Sequence, residues 1–135
     1  MNAAATGGMR LAQFAAALDW RALPAAVRGK VIDHVIDTAG LMLAGGAAPA
    51  CAQARRAAIE WGSGDDATII GEGSRSSAAT AAFLNALYGR IHAFDDTYER
   101  GTLHAGNSVI AAALALADKH ACDGATFLEI GRAHV

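Results

Sequence analysis

The sequence has few of the residues that form metal, redox or nucleic-acid sites. Its two cysteines, Cys51 and Cys122, belong to no CxxC pair and have no histidine at ligand spacing. An iron–sulfur cluster usually needs three or four cysteines, so we expect both thiols to be small buried groups. The net charge is −2 and no basic block or zinc-finger spacing occurs. The chain therefore lacks the electrostatic pattern of a nucleic-acid-binding protein.

Long apolar runs are also absent. The longest alanine-rich stretch, residues 109–117, is too short to span a bilayer, and residues 1–8 lack the pattern of a signal peptide. We therefore expect a cytoplasmic protein without a membrane partner. Charged residues make up only 18% of the chain, whereas apolar residues make up 53%. Such a low charge predicts that part of the surface is covered by more chain or by a partner.

Apolar residues recur at helical spacing through most of the chain, which predicts an all-α domain of five to six helices. We expect helices over residues 9–19, from Pro24 to the Gly45-Gly46 pair, after Pro49, after Ser76 or Ser77, over 109–120, and after Asp123. The second helix should be well buried through Val27, Val31, Val35 and Ala39, with Ile32, Ile36 and Leu43 widening the buried face. The fourth should bury Ala79, Phe83, Leu87 and Ile91. At most a short β segment is expected, near residues 67–70.

Polar residues replace this pattern between residues 92 and 108. Carboxylates and imidazole can move protons near neutral pH, while arginine, amide, hydroxyl and helix-start N–H groups can hold an anion. No lysine falls in this segment, so no Schiff-base chemistry is indicated. The candidate catalytic residues are His104 and Asp95, and the candidate substrate-binding residues are Asp96, Thr97, Arg100, Asn107 and Ser108. No metal ligand is predicted.

Each of these residues also has a purely structural interpretation. Asp95 or Asp96 can cap a helix, Thr97 and Ser108 are ordinary capping residues, and Arg100 can form a solvated ion pair with Glu99. The density of polar groups between two apolar helices is what favours function. Two other functions stay open. The spacing Asp95-Asp96-x-x-Glu99 is similar to a magnesium–diphosphate site, although a second acidic motif is missing, and the alanine-rich faces suit a non-catalytic interaction module.

Several segments together resemble the MmgE/PrpD family. They are L-A-Q-F at 11–14, D-W-R-A-L-P at 19–24, D-T-A-G-L-M-L-A-G at 37–45, A-T-I-I-G at 67–71, A-A-F-L-N at 81–85, F-D-D-T at 94–97 and H-A-G at 104–106. The resemblance spans residues 9–128, as the N-terminal part of the family's helical domain. It implies a lyase or isomerase such as 2-methylcitrate dehydratase, cis-aconitate decarboxylase or iminodisuccinate epimerase.

The resemblance also carries expectations about chemistry and assembly. It implies proton abstraction next to a carboxylate of a small polycarboxylate, with no metal or cofactor, often in a homodimer. His104 matches the family's signature histidine, Thr97 a substrate-contacting threonine, and Asp95 and Asp96 the acid pair. Two positions depart from the pattern: Ala93 stands where many members have an acid, and Arg90 where they have a histidine. The family's catalytic lysine and lid domain have no counterpart here, so we expect the isolated chain to be inactive.

The last residues break the apolar pattern. One nucleotide reading of residues 130–135 matches the start of a common sequencing adapter. We therefore expect these residues to be a non-native tail.

Overall fold

The computed structural model describes residues 6–131. This part of the chain forms six α-helices and one antiparallel hairpin of two three-residue strands, which confirms the mostly helical class. In chain order the elements are α1 (Gly7–Ala17), a 3-10 helix (Trp20–Ala22), α2 (Ala25–Gly46), α3 (Cys51–Trp61), β1 (Ala67–Ile69), β2 (Ser74–Ser76), α4 (Ala78–Arg90), α5 (Ala105–Lys119) and α6 (Gly124–Gly131).

Side-chain caps set several helix ends. The Ser77 hydroxyl accepts a hydrogen bond from the Thr80 amide at 3.2 Å at the start of α4. The Asp123 carboxylate accepts one from the Thr126 amide at 2.8 Å at the start of α6. These groups satisfy N–H donors that have no acceptor within their own helix. Both predicted caps are confirmed, and α2 begins directly after Pro24 as expected.

Helix α4 lies at the centre of the domain and packs against α2, α3 and α5. The approach of α2 is unusually close at Gly45, where an added Cβ would lie 2.0 Å from the carbonyl oxygen of Tyr88. The two backbones therefore touch where α2 ends. The main core is formed by buried side chains from several elements: Met42, Cys51, Ala58, Ile69, Ala81, Leu84, Tyr88, Ala111 and Ala115.

The predicted core stripe of α4 is wrong. Ala79 and Phe83 are exposed, Ile91 is at the limit of exposure, and Leu87 is only partly buried. The buried face instead carries Ala81, Leu84, Asn85 and Tyr88. Almost every residue of α4 is apolar or small, so spacing alone does not select the face that packs. A buried asparagine, which periodicity counts as polar, lies at the centre of the true face.

The expectation that α2 is well buried is also wrong. Val31 and Met42 are buried, but Ile36 and Leu43 keep 65% and 57% of their surface exposed. Helix α4 covers one side of α2, and no described element covers the side that carries these two residues. Helix α1 has no buried residue at all. Phe14 on α1 and Ile32 on α2 are exposed apolar side chains as well.

Side chains from two helices complete the outer edge of β1. The Asn85 amide, from α4, accepts from the Ile70 N–H at 2.8 Å and donates to the Thr68 carbonyl at 3.1 Å. The Asp118 carboxylate, from α5, accepts from the Thr68 N–H at 2.7 Å and is also bonded to Arg75 of β2. The hairpin is therefore attached to both central helices through hydrogen bonds to its backbone.

No single helix within residues 6–131 is long and apolar enough to cross a membrane. By length and composition alone, α2 and α3 together could form a membrane span bent by 99°, but core helices of globular proteins have the same length and composition. The predicted non-native tail lies outside the described residues from residue 132 onward, whereas residues 130 and 131 belong to α6. The tail stays a prediction.

Candidate functional site

A groove of about 350 Å³ lies where the end of α4, the segment after it and the start of α5 meet. The chain turns back after α4 through Ala93, whose φ of +55° lies in the left-handed region that costs most residues about 1–2 kcal/mol. This turn returns Asp95 to the end of α4. The groove is lined by Phe83, Ala86, Leu87, Arg90, Asp95, His104, Asn107 and Ser108.

Asp95 is a buried carboxylate held by an arginine. Its side chain is only 1% exposed, and its Oδ1 forms an ion pair with Nη1 of Arg90. Its Oδ2 makes no hydrogen bond and lies 3.9 Å from Nδ1 of His104. A charged carboxylate is costly to bury without a cation, and Arg90 supplies that cation here.

His104 presents one nitrogen to the protein and leaves the other for a ligand. Its Nδ1 lies 3.0 Å from the backbone carbonyl oxygen of Asp96 and 3.3 Å from the Thr97 hydroxyl. Because a carbonyl oxygen can only accept, Nδ1 of neutral His104 must carry the hydrogen. Nε2 then has a free lone pair, and no described residue hydrogen-bonds to it. His104 is therefore arranged as a base or ligand-binding group through Nε2.

The start of α5 forms one wall of the groove. Asn107 is buried and donates to the Ala86 carbonyl of α4 at 2.7 Å. Gly89 permits this contact, because a Cβ there would lie 2.1 Å from the Asn107 Oδ1. The first N–H groups of any helix have no acceptor within the helix, and no side chain caps those of α5. Ser108 is exposed beside them and lines the groove.

The structure brings together most of the residues predicted from sequence. Asp95, His104, Asn107 and Ser108 line the groove. Thr97 contacts His104 through its hydroxyl, and Asp96 contributes its backbone carbonyl.

Arg100 lies elsewhere. It is exposed in the turn closed by the Tyr98–Leu103 backbone pair and does not line the groove. The arginine in the groove is Arg90, which the sequence marked only as a departure from the family pattern. A cation at the end of a helix, five residues before a candidate catalytic acid, was the signal that could have found it.

The magnesium–diphosphate alternative finds no support in this geometry. Asp95 is buried against Arg90 and Glu99 is exposed in a turn, so the acids of this spacing do not share one helix face. Among residues 6–128, whose side chains the structure describes, no group of three His, Cys, Asp or Glu could hold a metal ion.

Residues 9–131 match the MmgE/PrpD N-terminal domain, which is almost the whole chain. The chain belongs to the MmgE/PrpD family. This family contains dehydratases, among them 2-methylcitrate dehydratase. Comparison with curated proteins and with solved structures gave no significant match.

Two of the segments that carry the family resemblance meet in the groove of this MmgE/PrpD domain. The F-D-D-T segment supplies Asp95, and the H-A-G segment supplies His104, which the Thr97 hydroxyl of the first segment contacts. A third, A-A-F-L-N, lies on α4 and supplies Asn85, which binds the edge of β1 instead. The MmgE/PrpD pattern thus combines residues that form the groove with residues that hold the fold.

Proposed function

We propose that this protein is a lyase or isomerase that acts on a small polycarboxylate by removing a proton next to a carboxylate, in the manner of 2-methylcitrate dehydratase. The observation that carries the proposal is that His104, whose Nε2 has no protein partner among the described residues, lines a groove that also holds Arg90 and the start of α5. This set pairs a base with groups that bind anions. Membership of a family that contains dehydratases supports the same reaction class.

Nε2 of His104 accepts the proton from the carbon next to the carboxylate. The electron pair of the broken C–H bond moves into the carboxylate as an enediolate and then expels a leaving group on the adjacent carbon, as hydroxide in a dehydration. A positioned base of this kind contributes roughly 10²- to 10⁴-fold to a rate. Donors at the start of α5 stabilise the negative charge that develops.

Asp95 acts through His104 in this scheme. When Nε2 takes the proton the ring becomes positively charged, and the Asp95 carboxylate, 3.9 Å from Nδ1, stabilises that charge. The Asp96 carbonyl and the Thr97 hydroxyl keep the ring oriented. We therefore assign Asp95 and Thr97 as positioning residues for His104.

The remaining parts of the proposal concern the whole protein. We propose a cytoplasmic homodimer whose active site is completed by further chain, with the isolated chain inactive. Exposed apolar side chains on α1 and α2 support an additional partner or domain; they are Phe14, Ile32, Ile36 and Leu43.

The test uses protein expressed from the complete gene. We would incubate it with 2-methylcitrate, cis-aconitate and iminodisuccinate in D2O and follow loss of the substrate C–H signal and formation of product by NMR. We expect His104→Asn to lower exchange and turnover on at least one of these by roughly 10²-fold or more.

His120→Asn is the matched control, because His120 lies exposed at the opposite end of the same helix. It should react at the wild-type rate. Wild-type turnover in His104→Asn would refute the catalytic role of the groove and favour the interaction-module alternative.

A further inference from the structure

We propose that Arg90 binds a substrate carboxylate and so selects di- and tricarboxylates over monocarboxylates. The inference rests on the proposed function and adds a specificity-determining residue to it. Arg90 is the last residue of α4 and lines the groove next to His104.

Asp95 uses only part of the Arg90 guanidinium. The ion pair joins Nη1 of Arg90 to Oδ1 of Asp95, and no other hydrogen bond links the Arg90 side chain to a described residue. A guanidinium carries five N–H donors in a planar fork that matches the two oxygens of a carboxylate. The Arg90 side chain is 49% exposed. Donors therefore remain for a ligand in the groove.

The charge of the groove leads to the same assignment. Among the described residues that line it, Arg90 is the one with a permanent positive charge, and Asp95 is the one acid. Without Arg90, the buried carboxylate would repel a polyanionic substrate from the groove. With Arg90 in place the pair is neutral overall, and the exposed part of the guanidinium attracts an anion.

A second group of donors lies on α5. The Ser108 hydroxyl lines the groove from a different helix than Arg90, close to the first N–H groups of α5. A ligand with two carboxylates can use both groups of donors, whereas a monocarboxylate can use only one. The contribution of Arg90 should therefore appear as a preference for ligands with more than one carboxylate.

The experiment measures binding without turnover, again on protein from the complete gene. Isothermal titration calorimetry would use tricarballylate, which has no hydroxyl group to eliminate, and butyrate as the monocarboxylate. We expect Arg90→Gln to weaken tricarballylate binding roughly 10- to 100-fold and to remove most of its advantage over butyrate. Arg90→Lys should give a smaller loss, because it keeps the charge but lacks the fork.

Arg56→Gln is the matched control, since Arg56 is exposed on α3 and makes the same change of charge away from the groove. It should bind tricarballylate as the wild type does. Wild-type affinity and preference in Arg90→Gln would overturn the inference.

A further variant separates ligand binding from structural support. Arg90→Gln leaves Asp95 buried without its cation, so the double variant Arg90→Gln/Asp95→Asn removes both charges, and thermal melting checks that each variant is folded. Weak tricarballylate binding by the folded double variant supports a direct carboxylate contact. Wild-type affinity in the double variant would show that Arg90 acts only by neutralising Asp95, and would overturn the inference.

Failure of the proposed function gives a different result. Absence of deuterium exchange in every polycarboxylate with wild-type protein would refute the reaction, whatever Arg90 binds. Exchange combined with affinity that does not depend on Arg90 would refute this inference alone.

Discussion

The crossing of α2 and α4 at Gly45 gives a sharp test of the packing, through the substitution Gly45→Ala. The new Cβ would lie 2.0 Å from the Tyr88 carbonyl oxygen, 2.6 Å from the Tyr88 carbonyl carbon and 2.9 Å from Cγ2 of Ile91. Two of these three atoms are backbone, so a change of rotamer cannot relieve the contact. The helices must instead separate by roughly 1.5 Å to reach normal van der Waals distance.

Two opposing terms decide the sign of the effect. Alanine is favoured over glycine within a helix by about 1 kcal/mol. Overpacking a well-packed core costs about 1–3 kcal/mol and occasionally more. Contact with backbone atoms at these distances places the overpacking cost of Gly45→Ala at the upper end of this range, about 3 kcal/mol. After the gain in helix propensity, we expect a net loss of about 2 kcal/mol in the free energy of unfolding.

Gly29 provides the matched control in the same helix, because an added Cβ there meets no atom within 4 Å. Gly29→Ala should gain up to about 1 kcal/mol from helix propensity alone. Urea unfolding followed by circular dichroism would compare the two variants with wild type. The urea midpoint should fall for Gly45→Ala and rise for Gly29→Ala. If Gly45→Ala is as stable as Gly29→Ala, the two helices do not cross at this distance and the reasoning is refuted.

Two further predictions concern pH and solubility. Hydrogen bonds from Thr68, together with the Arg75 guanidinium, hold the pKa of the Asp118 carboxyl below its usual range. The ionised carboxylate therefore stabilises the fold above about pH 4, and this stabilisation is lost as the pH falls through the lowered pKa of the folded protein. We expect Asp118→Asn to lower the free energy of unfolding by about 1–2 kcal/mol at neutral pH and to reduce the loss of stability in acid. Urea midpoints between about pH 7 and pH 3 measure both effects. Equal pH dependence of stability in the variant and the wild type would contradict this. We also expect the isolated chain to self-associate through the exposed side of α2, and Ile36→Glu to reduce this with a change in stability within about 0.5 kcal/mol, because Ile36 is 65% exposed. Light scattering across a concentration series measures the association, and a wild-type chain that stays monomeric throughout would show the prediction to be wrong.

Local signals in the sequence predicted the element boundaries better than the faces that pack. Ser77, Asp123 and Pro24 act within one helical turn, so their effect depends on few neighbours. The buried face of α4 depends on which helices surround it, and its nearly uniform apolar composition does not encode that choice. The true face is centred on Asn85, a residue that becomes buried only because β1 offers it a donor and an acceptor.

The sequence located the segment that carries the candidate site but not the arrangement of its side chains. The density of polar residues between two apolar helices located Asp95 and His104, which the structure places 3.9 Å apart between Oδ2 and Nδ1. Which arginine lies in the groove depends on the path of the chain. Arg100 lies in an exposed turn, whereas the left-handed conformation at Ala93 returns Asp95 to Arg90. An alanine in a sequence does not indicate that its backbone adopts a left-handed conformation.

The hydrogen bonds of Asn85 and Asp118 to β1 have a consequence for how the hairpin meets other chains. A two-stranded hairpin usually presents a free edge, where the strand of another molecule can pair and begin aggregation. Here Thr68 and Ile70 already give their outward backbone groups to side chains of α4 and α5. A foreign strand could pair there only after both helices had moved away. The amide hydrogens of Thr68 and Ile70 should therefore exchange with solvent as slowly as those of the helices that protect them.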